Sequence, residues 1–178
     1  PIGQDQIPHL ELTRELAKKF NSLFKEIFPI PEPLLTEFPK VLGIDGRKMS
    51  KSYNNAVYIS DDSQTLRNKI KNYFTDPQKI RKNDPGRPDI CPIYYLQKIF
   101  NSEEKEEIYK DCSVGKLGCV DCKMKLFIKL DKFLEQIREK RNLIKDEEVI
   151  DILNDGSNKA KLRAYETMNL IYDAMNFK

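Results

Sequence analysis

From Ser60 onward, apolar residues return every three or four positions, and that spacing commits most of the chain to helices. Ser60-Asp61-Asp62 is a helix-start signal, and Leu66, Ile70 and Phe74 mark a helix that closes near Thr75-Asp76-Pro77. Two prolines, a glycine and several charges make residues 81–88 a loop. Helices are predicted from Pro92 to Phe100 and from Ser102 to Lys110, with Ser102 as cap and Glu103 and Glu104 in the positive first turn. Val120, Met124, Phe127, Leu130, Leu134 and Ile137 predict a long amphipathic helix. A short helix from Glu147 to Leu153 and a break at Asp155-Gly156-Ser157 precede a last helix with Ala164, Met168, Ile171 and Met175 on one side. These Met and aromatic stripes read as core packing.

The first sixty residues follow other rules. Leu16, Phe20, Leu23 and Ile27, widened by Ala17, Phe24 and Phe28, predict one helix, with Asp5 as its cap and Pro8 in its first turn. Gly3 and Asp5 then stand at a helix N-terminus, where backbone can approach a ligand and a carboxylate can accept from a ribose hydroxyl. Pro29, Pro31 and Pro33 end that helix in a stiff connector. Lys40-Val41-Leu42-Gly43 reads as a short buried strand, and Val57-Tyr58-Ile59 as another or as an extended exit. Between them lies Gly43-Ile44-Asp45-Gly46-Arg47-Lys48-Met49-Ser50-Lys51-Ser52. Lys48 and Lys51 supply point charges, Ser50 and Ser52 supply donors, and Gly46 permits tight backbone geometry. A mobile loop of this kind can close over a polyphosphate. Strand, phosphate loop and helices suggest the closing part of a nucleotide-binding α/β sheet, with too few strands for a whole one.

A formal net charge of only +3 means that any nucleic-acid surface is a local patch. Lys116, Lys123, Lys125 and Lys129, with Lys159, Lys161 and Arg163, are the candidates to meet phosphates, against the plainer reading of ordinary solvated helix faces. No apolar run is long enough to span a bilayer and no signal-peptide pattern opens the chain, so a cytoplasmic location and no membrane partner are expected. The start at Pro1, without Met, suggests a fragment or a processed chain. His9, the only histidine, falls in a first helical turn, where a structural role is expected.

Cys91, Cys112, Cys119 and Cys122 are all the cysteines of the chain, spaced C-x20-C-x6-C-x2-C. All lie in or beside loops ahead of helices, where thiolates can converge. The last pair is a metal-ligand knuckle, with Gly115 and Gly118 for its sharp turns. Four thiolates without histidine suit tetrahedral zinc or a 4Fe–4S cluster, and spacing does not choose between them.

Lys48-Met49-Ser50-Lys51-Ser52 resembles the signature loop of class I aminoacyl-tRNA synthetases. Three segments together narrow this. Pro1-Ile2-Gly3-Gln4-Asp5-Gln6 with Pro8-His9-Leu10-Glu11-Leu12-Thr13-Arg14, the lysine loop, and Leu66-Arg67-Asn68-Lys69-Ile70 with Thr75-Asp76-Pro77 resemble bacterial tryptophanyl-tRNA synthetases. The cysteines resemble the motif with which some of these hold a 4Fe–4S cluster, the first gap being two residues shorter here; the resemblance therefore favours iron–sulfur over zinc.

The resemblance runs nearly end to end but covers about the C-terminal half of a synthetase, without the HIGH-type motif and the tryptophan pocket. It implies an α/β plus all-α fold: residues 1–60 as the C-terminal part of a Rossmann-like catalytic domain, and residues 61–178 as a helical tRNA-binding domain with the four-cysteine site. It implies attachment of tryptophan to tRNA(Trp) through an adenylate formed from Mg-ATP, in an enzyme that is usually a homodimer. A half alone is expected to be inactive. Lys48 and Lys51 would stabilise the leaving pyrophosphate, with Met49, Ser50 and Ser52 at the nucleotide. Gly3, Gln4 and Asp5 would line the adenosine side, Asp5 facing the ribose. Val41 would pack near adenine, and Gln6 would point toward the amino acid. The competing reading is a non-catalytic metal- or cluster-bearing RNA-binding module, which has no use for the lysine loop.

Overall fold

The computed structural model describes residues 1–177. The chain divides into two compact units: Pro1–Pro39 together with the segment from Asn142 onward, and Lys40–Arg141.

In the first unit a 3-10 turn, Gln4–Gln6, leads into α1, Ile7–Leu23, with Pro8 in its first turn as expected. Asp5 lies inside the 3-10 turn and Gln6 holds the cap position of α1, so Asp5 does not cap the helix. Asn21 ends it: its Oδ1 accepts the N–H groups of Ile27 and Phe28, both at 3.0 Å, and its Nδ2 donates to the Phe28 carbonyl at 2.7 Å. The chain is thereby folded back, and Phe20 meets Phe24 and Phe28 with ring centroids 5.0 Å apart. Of the predicted α1 stripe only Ala17 is buried, while Leu16 and Leu23 stay exposed.

The unit's other helix, α6, runs unbroken over Asp146–Ala174. The break expected at Gly156 is absent. A mid-helix glycine costs about 1 kcal/mol, less than closing one helix and nucleating another. The pair Asp155–Lys159, 2.6 Å apart, also bridges it one turn on. None of α6's residues is buried, so its expected core stripe lies uncovered among the described residues.

The second unit holds the core. Here α2 (Ser63–Asn72), α3 (Pro92–Phe100), α4 (Lys105–Ser113) and α5 (Cys119–Leu143, whose last two residues pass the unit's boundary) surround Leu66, Ile70, Tyr73, Ile93, Leu96, Ile108, Leu126, Leu130 and Leu134. Asp62 caps α2 by accepting the Thr65 N–H at 2.6 Å. α2 stops at Asn72, so Tyr73 turns into the core and the expected core residue Phe74 is half exposed. α3 has the predicted bounds. α4 begins after Glu104 rather than Ser102, and the Glu104 carboxylate pairs with Lys125 of α5 at 2.5 Å. On α5 the buried stripe is Cys122, Leu126, Leu130 and Leu134, one residue every four. Val120, counted on that face from the sequence, is 77% exposed.

Neither predicted strand forms. Leu42 and Lys48 make one isolated antiparallel bridge. The Val41 carbonyl takes the Met49 N–H at 2.9 Å and the Gly43 N–H goes to the Arg47 carbonyl at 2.7 Å. The segment meets its own return instead of a sheet neighbour, and the chain turns at Tyr58, whose carbonyl takes the Asp61 N–H at 3.1 Å.

Candidate nucleotide loop and cysteine cavity

The lysine loop is a pinched hairpin. Gly46 turns it with φ +79°, a backbone state that suits glycine, and its N–H reaches the Gly43 carbonyl at 2.9 Å. The loop is moored twice to the residues that directly follow α2. The Tyr73 phenol donates to the Leu42 carbonyl at 3.0 Å, and the Phe74 N–H donates to the Ile44 carbonyl at 2.7 Å. Burial pushes the Tyr73 phenol far above its usual range, which keeps it a donor.

Inside the loop, Asp45 takes the Arg47 N–H at 3.0 Å and its guanidinium at 2.7 Å, and Arg47 stacks over Tyr53 at 4.3 Å. The Asn55 amide and then Arg47 hold the Asp45 carboxyl below its ordinary range, against a smaller opposing effect of burial. Lys48, Lys51 and Ser52 are exposed, while Met49 and Ser50 are partly buried. The Ser50 and Ser52 hydroxyls are 2.8 Å apart. Met49, Ser50 and Lys51 share a cleft of about 510 Å³ with Ile137, Arg138 and Arg141 of α5. The structure thus brings the two lysines and both serines onto one braced turn, with Val41, 37% exposed, on its incoming arm. Gly3, Gln4, Asp5 and Gln6 belong to the other unit. There Gln6 donates to Asp5 at 3.0 Å, and Gly3 lies so close that a Cβ would stand 2.8 Å from the Asp5 carboxylate.

All four cysteines line one small cavity with Thr75, Ile93, Tyr94, Ile108 and Leu117. They come from three places: Cys91 precedes α3, Cys112 lies in the last turn of α4, and Cys119 and Cys122 open α5. Burial raises the Cys91 thiol's pKa, while the main-chain N–H groups of Tyr94 and Ile93 at the head of α3 pull it back. Burial also raises Cys112, with Lys79 opposing. Cys122 is pushed up to about 12 by burial, although the buried Gln97 amide donates to its sulfur at 3.6 Å. Two glycines close the surround. At Gly86 a Cβ would stand 2.6 Å from the Cys112 sulfur. Gly115 has φ +76°, and its Cβ would fall 2.2 Å from the Asn83 carbonyl oxygen. Among the described residues, no three His, Cys, Asp or Glu side chains are grouped so as to hold a metal ion.

The expected cationic patch is largely committed to carboxylates and carbonyls. Lys116 pairs with Asp111, Lys125 with Glu104, Lys129 with Glu103, Lys159 with Asp155 and Arg163 with Glu166, while Lys123 donates to the Lys71 carbonyl. Asn55, Gln97 and Gly86 escaped the sequence reading. An Asn soon after the signature loop was the one available signal.

The hairpin carries Lys48-Met49-Ser50-Lys51-Ser52, the stretch that resembles the signature loop of class I aminoacyl-tRNA synthetases. The profile described as tRNA synthetases class I (W and Y) matches residues 1–135, and the chain belongs to that family. Its helical architecture is that of the C-terminal helical part of such enzymes. It is 50% identical over 180 residues to the tryptophan–tRNA ligase of Aquifex aeolicus, covering 99% of this chain and 46% of the relative. Identity to that of Thermotoga maritima is 39%, covering 99% and 55%. Among solved structures, the Campylobacter jejuni tryptophanyl-tRNA synthetase complexed with ADP and tryptophane superposes with TM-score 0.74 at 34% identity, over 99% of this chain and 56% of that one. The chain spans about half the length of the curated relatives it matches. Among the described residues no helix is long and apolar enough to cross a membrane.

Proposed function

We propose that this chain carries the pyrophosphate-stabilising loop and the tRNA-binding helices of a tryptophan–tRNA ligase. The observation that carries the reading is the intact Lys48–Ser52 signature on a hairpin braced by Asn55, Asp45 and Tyr73. In the reaction, a tryptophan carboxylate oxygen attacks the α-phosphorus of ATP. The bond to the β,γ-diphosphate breaks, and its electron pair leaves on pyrophosphate. Lys48 and Lys51 meet that growing charge, which Mg²⁺ bound with the nucleotide would help to neutralise, and Met49, Ser50 and Ser52 seat the nucleotide. Gly3, Gln4 and Asp5 serve the adenosine, with Asp5 on the ribose; Val41 serves adenine, and Gln6 the amino acid. A hydroxyl at the 3′ end of tRNA(Trp) then attacks the adenylate's carbonyl carbon, the bond from that carbon to the phosphate oxygen breaks, and AMP leaves as the ester forms. The enzyme is a cytoplasmic homodimer, with residues 1–60 in its catalytic part and 61–178 in its tRNA-binding part.

Cys91, Cys112, Cys119 and Cys122 would hold a 4Fe–4S cluster. The fit rests on an all-thiol lining, N–H groups aimed at two of the sulfurs, and Lys79 near Cys112 to offset negative charge. Four thiols around one cavity, with no histidine among them, are the donor set that such a cluster takes. Bound there, it would tie the heads of α3 and α5 and the end of α4 together.

The test is ATP–pyrophosphate exchange with tryptophan as the amino acid, using the full-length protein. Tryptophan-dependent exchange supports the reading. Exchange driven by tyrosine instead, or none, overturns it.

A further inference from the structure

One buried polar side chain of the second unit is spent entirely on the lysine loop. Asn55 is 3% exposed. Its Oδ1 accepts the Ser50 N–H at 2.8 Å. Its Nδ2 donates twice, to Asp45 Oδ1 at 2.7 Å and to the Lys48 carbonyl at 3.1 Å. Its own carbonyl accepts the Ile44 N–H at 2.9 Å. Both amide hydrogens are used, so the orientation of the group is fixed by its partners. The fit is close on the far side as well: a Cβ on Gly43 would stand 2.6 Å from the Asn55 amide carbon.

The bonds fall on both arms of the hairpin. Ile44 and Asp45 lie before the Gly46 turn, Lys48 and Ser50 after it. The Lys48 carbonyl and the Ser50 N–H flank Met49, so the amide pins the main chain between the two lysines. An ammonium group stabilises a departing charge best when it is already in place, because nothing then reorganises at the moment of reaction. Two flexible lysines are placed only as well as the backbone they spring from.

We propose that Asn55 is the positioning residue of this loop: its buried amide fixes the main chain from which Lys48 and Lys51 reach the departing diphosphate. This rests on the lysine-loop reading given above. Asn55 acts through the loop and touches no substrate. Its effect is confined to the step in which diphosphate leaves.

The test separates the two half-reactions in the full-length enzyme. Asn55→Ala is expected to lower kcat for ATP–pyrophosphate exchange by about 30-fold, short of the loss from removing a charge-stabilising group itself. The KM for tryptophan stays unchanged. Transfer from isolated tryptophanyl-adenylate to tRNA keeps the parent rate, since no diphosphate leaves in that step. Asn55→Asp keeps the side-chain volume and the acceptor for Ser50, loses both donors and faces the Asp45 carboxylate; it gives the same split. A parent exchange rate in both variants, an equal slowing of both steps, or failure of both to fold overturns the proposal. Lys51→Ala is run in parallel. If it slows exchange and the Asn55 variants do not, only the positioning role falls; if it has no effect, the loop reading falls with it.

Discussion

Asp76 and Arg87 are joined three times over: the Asp76 carboxylate accepts the Arg87 Nε at 3.0 Å, a terminal guanidinium nitrogen at 2.7 Å and the main-chain N–H at 2.9 Å. The pair closes the loop that leads from α2 to the head of α3, directly before Cys91. Its side-chain bonds to Arg87 hold the Asp76 carboxyl well below the usual carboxylate range, against a smaller opposing effect of burial. A carboxyl depressed in the folded state contributes stability that is complete above its unfolded pKa, about 3.9, and is lost as pH falls toward the folded value. Thermal melts from pH 7 downward should show this protein losing stability below about pH 4. Asp76→Asn should melt lower at pH 7, by on the order of 2 kcal/mol, and lose part of the acid sensitivity. Parallel acid limbs for the two proteins would remove Asp76 from the account.

Lys51 is exposed on the hairpin and contributes little packing. Lys51→Ala should therefore leave the melting temperature within about a degree, as surface changes usually do. In the full-length enzyme it should slow tryptophan-dependent ATP–pyrophosphate exchange by about 10²-fold or more. Calorimetry and exchange kinetics on one preparation check both halves of the statement.

The cysteine cavity makes a visible prediction. Anaerobic reconstitution with ferrous iron and sulfide should turn the protein brown, with broad absorbance that bleaches on reduction or in air. Cys112→Ser should abolish the colour. A colourless protein holding one zinc per chain would assign the four thiols to the simpler site.

Gly115 tests the turn between α4 and α5. Its positive φ costs any L side chain about 1–2 kcal/mol, and a Cβ would strike the Asn83 carbonyl, so the loop must also shift. Gly115→Ala should destabilise by more than about 2 kcal/mol in urea unfolding monitored by circular dichroism. Gly156→Ala, with nothing within 4 Å, should instead stabilise α6 by up to about 1 kcal/mol.

The bounds of α3 could be read directly, because Pro92 supplies a start and Asn101 stops a dense apolar stripe. The start of α2 was signalled by Ser60-Asp61-Asp62, of which Asp62 proves to be the cap. Other features hinged on groups distant in sequence. Glu104 rather than Ser102 heads α4, and its carboxylate is paired with Lys125 on another helix. No local pattern reports that. The strand at Val41 failed for a similar reason: a short apolar run shows that a segment can pair, not that a neighbour is there to pair with. In the candidate site, the lysines, serines and cysteines were legible as reactive types at telling intervals. Asn55, Gln97 and Gly86 were not, because each matters only through what it touches once the chain has closed around it.

α5 starts at two of the thiols and, some twenty residues later, flanks the lysine hairpin with Arg138 and Arg141. At 1.5 Å per residue the two ends are about 30 Å apart along one uninterrupted rod. Between those ends Leu126, Leu130 and Leu134 are sealed into the core, so one packed stripe seats both the cysteine-bearing first turns and the stretch beside Lys51.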